Sequence, residues 1–202
     1  MTKESLLATP VSRRKLLRNG LLTGLGAAAV GAAQVFTGKA QAASGGMQYN
    51  WNWCNKCTGL FYGPQYSSSW CPAGGQHNGA DNPNPDSSYD YILYYNYPSS
   101  ELGPDFQGDW NWCSKCRGLF YGPQQSSSWC PAGGQHNGSG SYDYQILFGD
   151  QIGLGAYWQE SWSWCNKCTG LFYGPQQPSS YCPAGGQHNG SGSYDYWLQF
   201  AV

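Results

Sequence analysis

Aliphatic side chains are scarce in this sequence of 202 residues, and so is charge, with Asp, Glu, Lys and Arg together making up 10%. Between Gln48 and Leu93 the only Leu, Ile or Val residues are Leu60, Ile92 and Leu93, too few for a segment of that size to fold on an ordinary apolar core. No apolar pattern at helical spacing persists for three turns, and Gly and Pro interrupt the chain every few residues. Helices are thereby excluded as the main element. Beyond the first 42 residues nothing resembles a membrane-spanning run of about 20 apolar residues. Whatever folds this chain has to come from its cysteines and its rings.

Self-similarity fixes the organisation. The stretch from Cys54 to Gly79, CNKCTGLFYGPQYSSSWCPAGGQHNG, returns as CSKCRGLFYGPQQSSSWCPAGGQHNG from Cys113 and as CNKCTGLFYGPQQPSSYCPAGGQHNG from Cys165. In each copy CxxC is followed by thirteen residues, a third cysteine, five residues and a histidine, which accounts for all nine cysteines and all three histidines. Gln48, Gln107 and Gln159 each stand three residues before a tryptophan (Trp51, Trp110, Trp162), and each unit closes on Tyr-Asp-Tyr at 89–91, 142–144 and 194–196. The repeats therefore run over 48–97, 107–149 and 159–202, with an ADNPNPDS insertion in the first and variable connectors between them.

The expected fold is all-β: three tandem small hairpin units, with strands in the first at 50–53, 60–62, 69–71 and 89–94. The Asn-Gly pair after each histidine predicts a tight turn with positive φ. A unit of about 40 residues with four short strands fits one third of a β-trefoil, whereas the variable connectors fit separate beads better. Both arrangements are open at this point.

Ahead of the repeats, Ser12, Arg13, Arg14, Lys15, Leu16, Leu17 and Arg18 precede a glycine- and alanine-rich apolar stretch from Leu21 to Phe36, and Ala40, Gln41 and Ala42 follow. This resembles a twin-arginine export signal ending in a small-residue cleavage pattern. The resemblance implies a bacterial or archaeal protein that folds in the cytoplasm, loses residues 1–42, and is delivered to the periplasm, cell surface or exterior. A retained membrane anchor is the alternative, disfavoured because the apolar stretch is short and diluted by glycine. Without the leader, Lys56, Lys115, Arg117 and Lys167 face ten acidic residues, a formal charge of −6. Such a chain has no electrostatic footprint for phosphate backbones or anionic membranes, so no nucleic-acid partner and no membrane insertion after signal removal are expected.

For the cysteines, structural zinc is the leading expectation, with ligand sets Cys54, Cys57, Cys71 and His77; Cys113, Cys116, Cys130 and His136; and Cys165, Cys168, Cys182 and His188. CxxC lets two thiolates converge on one ion from a tight turn, with Gly59, Gly118 or Gly170 at its open end, and CPAGGQH brings a thiolate and an imidazole from a second loop. Over about 24 residues per unit the pattern resembles zinc ribbons and rubredoxin-like knuckles. Its second half departs from them, because ribbons carry another CxxC where this chain has cysteine and histidine six apart. Similar WxWCxKCxGLFYG…CPAGG repeats occur in other secreted bacterial proteins, a resemblance that carries no activity. Folding in a reducing compartment would let thiols meet metal before an oxidising exterior. Disulfides are the alternative, weakened by arithmetic: three cysteines cannot all pair within a unit, nor nine within the chain. Iron or another soft-site metal is a further one.

Each copy also holds Cys, His and Asp, the ingredients of a thiol hydrolase. Three near-identical copies and a closed four-ligand site argue against an enzyme. Asp90, Asp143 and Asp195 are expected either to accept the ring N–H of the liganding histidine or to face solvent. Of the abundant rings, some must remain exposed, and Trp70, Trp129 and Tyr181 occupy equivalent places with Gln76, Gln135, Gln187, Asn78, Asn137 and Asn189 nearby. Stacking planes beside short amides suit the C–H faces and hydroxyls of sugars, and three linked weak sites gain from effective concentration. A secreted multivalent binder of glycan or cell-wall polysaccharide is the leading function. The alternatives are a structural or protein-interaction scaffold and an extracellular metal-binding protein without glycan affinity.

Overall fold

A computed structural model describes residues 45–79, 88–151 and 153–201. The leader 1–42 and the ADNPNPDS insertion lie outside the described residues. Nine strands form one antiparallel sheet: β1 Gly46–Trp53, β2 Leu60–Tyr62, β3 Asp90–Tyr95, β4 Phe106–Trp112, β5 Leu119–Tyr121, β6 Tyr144–Phe148, β7 Trp158–Trp164, β8 Leu171–Tyr173 and β9 Tyr196–Ala201. In each repeat the first strand pairs with the short LFY strand on one side and with the closing strand on the other. Each repeat thus has three strands where four were expected. Residues 69–71 form no strand.

The reason is local. Proline sits in the first turn of a 3-10 segment, Gly63–Ser68, Gly122–Ser127 or Gly174–Ser179, directly after each LFY strand, and the ring pre-sets φ for such a turn. Ser69 then donates its hydroxyl to the Tyr66 carbonyl and accepts the His77 N–H, so side-chain bonds occupy this stretch and steer it away from a ladder. The Asn-Gly expectation holds in part: in the second and third repeats a tight turn starts at the glycine of the pair, Ser141 N–H reaching the Gly138 carbonyl and Ser193 N–H the Gly190 carbonyl (3.0 Å each), with positive φ two residues on, at Gly140 (80°) and Gly192 (83°), and not on the pair itself. Positive φ also falls before the asparagine, at Gly74 (98°) and Gly75 (65°) and at their equivalents. There, Cys71 N–H reaches the Gly75 carbonyl in a tight loop that only glycine enters without strain.

The three repeats close on one another, so the separate-bead arrangement does not hold. One half of β3 pairs with β9 (Asp90↔Ala201, Ile92↔Gln199) and the other with β6 (Tyr94↔Gln145, Tyr95↔Tyr144), while β6 pairs with β9 (Leu147↔Trp197, Phe148↔Tyr196). The closing strands therefore make a pseudo-threefold ring with the same pairing at each seam. What the ring encloses explains why it forms. Trp51, Trp110 and Trp162 are fully buried in a single cluster with one tyrosine and two aliphatic residues from each repeat. No repeat could bury its tryptophan alone, and rings of this size deliver most of the apolar area available to the chain. Connector length matters little to this closure, since loop entropy grows slowly with length.

The conserved spacing of glutamine and tryptophan within the repeats has a physical use at each seam. Gln48 Oε1 accepts both the indole N–H of its own Trp51 (3.0 Å) and the hydroxyl of Tyr144 from the next repeat (2.5 Å). Gln107 serves Trp110 and Tyr196, and Gln159 serves Trp162 and Tyr91. Burial, the main influence, pushes the Tyr91, Tyr144 and Tyr196 phenols far above their ordinary range, so they remain donors. Replacing Gln107 by Ala strands two donors, each worth about 1–3 kcal/mol when left unpaired. A loss of about 2–4 kcal/mol in urea unfolding of the metal-loaded protein is expected on that basis, and a loss below 0.5 kcal/mol would show that the seam does not depend on this lock.

Candidate metal centres

In each repeat β1, β4 or β7 ends on the tryptophan directly before the first cysteine of CxxC, and the chain turns at once. Thr58 N–H returns to the Cys54 carbonyl (2.8 Å) and Cys54 N–H to the Gly59 carbonyl (2.9 Å), with the same bonds in the other two repeats. The residue in left-handed conformation is Thr58 (φ 66°), Arg117 (69°) or Thr169 (68°), one before the glycine expected at the open end. The turn leaves both cysteine sulfurs facing the loop that carries CPAGGQH.

Sulfurs and imidazole meet there. The ligand atoms of Cys54, Cys57, Cys71 and His77 all lie within 4.8 Å of one another, as do those of Cys113, Cys116, Cys130 and His136, and of Cys165, Cys168, Cys182 and His188. Within each cluster the first and third sulfurs are 3.9 Å apart and the second sulfur is 3.4 Å from histidine Nδ1. A tetrahedral ion with metal–sulfur bonds of about 2.3 Å and a metal–nitrogen bond of about 2.0 Å requires edges of roughly 3.8 and 3.5 Å. The nine cysteines are free thiols, all buried, and the sulfur separations exclude a disulfide in this arrangement. Three thiols and an imidazole brought together in a buried cluster of this size fit a metal ion.

The surroundings orient the ligands. Asn78 N–H points at Cys54 Sγ (3.4 Å), repeated by Asn137 on Cys113 and Asn189 on Cys165. Each imidazole stacks on the phenylalanine of LFY, with His77 4.7 Å from Phe61 and 14° from parallel. Lys56, Lys115 and Lys167 place their ammonium groups on the carbonyls of Gly74, Gly133 and Gly185 in the same loops, offsetting the negative charge that three thiolates leave on a divalent ion. The tyrosine-flanked aspartates do not reach the histidines. Each of Asp90, Asp143 and Asp195 accepts the amide of the bulge residue in the preceding strand, Asn50, Asp109 or Ser161. That bulge amide is turned out of the ladder by a positive φ and needs an acceptor, which accounts for the carboxylate.

Without metal the thiols are unequal. Contacts from the Cys57 and Cys71 thiols hold Cys54 far below the ordinary thiol range, burial pushes Cys57 well above it, and the contact with the Cys54 sulfur pushes Cys71 up to about 11. The other two clusters repeat this order. These directions make Cys54, Cys113 and Cys165 the first thiol of each cluster to ionise, and metal has to expel the protons that remain.

The rings proposed for ligand contact lie just outside. Trp70, Trp129 and Tyr181 are 56, 55 and 54% exposed, each immediately before the third cysteine. Gln76, Gln135 and Gln187 spend their amide nitrogens on the carbonyls of Ser67, Ser126 and Pro178, and Asn78, Asn137 and Asn189 bond neighbours in their own repeat. These amides brace the loop, while the rings are free. Sequence reasoning missed a second aromatic set, in which Tyr89, Tyr142 and Tyr194 each meet a ring of another repeat, Phe200, Tyr95 and Phe148, at 4.1, 4.2 and 4.7 Å. Only the closed ring brings those partners together.

No protein-family model, curated protein or solved structure matches this chain. The likeness to zinc knuckles therefore rests on ligand spacing and cluster geometry alone.

Two outcomes follow for the metal. Elemental analysis should give three ions per chain, and Cys116→Ser should give two, with chelation of all three abolishing the near-ultraviolet dichroism of the tryptophan core. Titrating metal into apo protein in two buffers of different ionisation enthalpy at pH 7 should show about two protons released per site. Three per site would mean that no thiolate is held in advance.

Proposed function

We propose that the ion is zinc, held structurally in each repeat, and that the protein is an exported, non-catalytic binder of glycan or cell-wall polysaccharide. Zinc suits the four-ligand Cys3His set, which has no redox demand and leaves no open position for water or substrate. The export reading rests on the twin-arginine-like leader, and no helix among the described residues is long and apolar enough to cross a membrane.

The observation that supports binding is the placement of Trp70, Trp129 and Tyr181. Large rings more than half exposed at three equivalent positions add little to the apolar core and leave a stacking face available. Each is anchored next to a buried ligand cysteine, so its backbone is fixed by the metal loop and little ordering entropy is lost when it stacks on a ligand. The acidic mature chain, with four basic residues, favours neutral polymers over phosphate-bearing ones. A scaffold without glycan affinity is the competing reading, supported by the amides that brace their own loops.

Pull-down of the full chain on peptidoglycan, cellulose and chitin separates the two. Wild-type protein is expected to be retained on at least one polymer, and the triple variant Trp70→Ala, Trp129→Ala, Tyr181→Ala to lose at least tenfold in retention with its zinc content intact. Absence of wild-type retention on all three and on soluble neutral oligosaccharides would leave the scaffold.

A further inference from the structure

The third repeat differs from the other two at a place that neither the metal nor the exposed tryptophans explain. Its first strand reads Ser161-Trp162-Ser163, where the others read Asn50-Trp51-Asn52 and Asp109-Trp110-Asn111. In the first two repeats the asparagine side chain crosses to the turn before the closing strand, donating to the Tyr89 or Tyr142 carbonyl (3.4 Å in each). It also lies so close to Gly63 or Gly122 that a Cβ there would run into its Oδ1. Ser163 is shorter: its Oγ also lies against Gly174, 2.9 Å from where a Cβ would stand, but the Tyr194 carbonyl takes its side-chain hydrogen bond from Ser193.

A groove of about 430 Å³ opens there, lined by Ser161, Ser163, Gln177, Ser193, Tyr194 and Asp195 among others. That volume lies within the range of small-ligand sites, roughly 300–1,000 Å³. Its polar groups are half used. Asp195 gives one carboxylate oxygen to the Ser161 amide (2.8 Å) and keeps the other, while Gln177 accepts the Gly190 amide through Oε1 (3.2 Å) and keeps its NH2 group. The Tyr194 ring beside them is 54% exposed. No basic side chain lines the groove, so an anionic ligand would go uncompensated.

We infer that this groove is a binding site for one neutral pyranose residue, an assignment that rests on the glycan reading above. The carboxylate and amide would take adjacent hydroxyls in opposite senses, acceptor and donor, and the phenol ring would cover a C–H face of the sugar. It follows that the third repeat carries a saccharide contact in addition to its exposed ring.

The test uses the full, metal-loaded chain, an array of soluble neutral oligosaccharides and calorimetry with the best of them. Ser163→Asn installs the residue that the first two repeats carry, so the fold has precedent within the same molecule. Gln177→Tyr likewise installs the residue found at Tyr66. Wild type should bind one equivalent, both variants should lose at least tenfold in affinity with metal content and dichroism unchanged, and Asn111→Ser should add a second equivalent. Wild-type affinity in both variants would overturn the groove while leaving the glycan reading standing on the exposed rings, whose triple variant would then be the one that fails. If wild type binds no member of the array and none of the polymers, the glycan reading falls and the groove assignment with it.

Discussion

The structure depends on a clamp of four ligand atoms that two loops could not otherwise hold together. The turn it fixes is unfavourable by itself. A β-branched residue at positive φ is sterically strained, by about 1–2 kcal/mol, and this occurs at Thr58 and Thr169. Both threonine hydroxyls are also buried without a partner. An ion bound by three thiolates and an imidazole would supply a free energy several times larger, enough to hold the strained turn in place.

That strained turn is also where repeats meet. The carbonyl of Thr58 accepts the Tyr173 N–H, that of Arg117 the Tyr62 N–H, and that of Thr169 the Tyr121 N–H, all at 2.9 Å. The cycle runs from each knuckle to the LFY strand of another repeat, matched by bridges between Phe61 and Gly118, Phe120 and Gly170, and Phe172 and Gly59. Metal at one site therefore shapes the backbone to which a second repeat is bonded. The aromatic core and the glutamine locks tie the same repeats together on the sheet. Metal loops and core are two parts of one closed object, and neither set of contacts is confined to a single repeat.

How much of this was legible in the sequence follows from what each signal measures. Ligand residues could be read because Cys, Cys, Cys and His recur at fixed spacing, and coordination chemistry restricts what such a set can do. The LFY strand was legible at 60–62 because it is short, aromatic and bounded by glycines. Closure was not legible, since Gln48 meets Tyr144 and Tyr89 meets Phe200 across separations of 96 and 111 residues that no local pattern encodes. Of the two expectations for the aspartates, exposure holds for Asp143 and Asp195 and the contact with histidine does not, and their bond to a backbone amide went unseen for a related reason. A strand bulge leaves no mark in composition, so an amide in need of an acceptor at Asn50, Asp109 or Ser161 could not be foreseen. The 69–71 strand failed where serine hydroxyls outcompeted the ladder for nearby backbone groups.

Repetition here separates what must be constant from what is free to change. Several residues that hold the closed ring are the same in all three repeats: the glutamine of the lock, the buried tryptophan, the Phe that stacks on histidine and the ligands themselves, while the seam rings Tyr95, Phe148 and Phe200 vary only within aromatic types. A change at one of these would have to be matched by the neighbour it contacts, and that neighbour is built on the same pattern. Ser161, Ser163 and Gln177 are freer to change because they line the groove of their own repeat. Divergence there leaves the ring intact. In a molecule whose interior is held by symmetry, polar individuality is tolerated most easily on such outward walls, and in the third repeat a shorter side chain, Ser163, lines an open groove where the other two repeats carry asparagine.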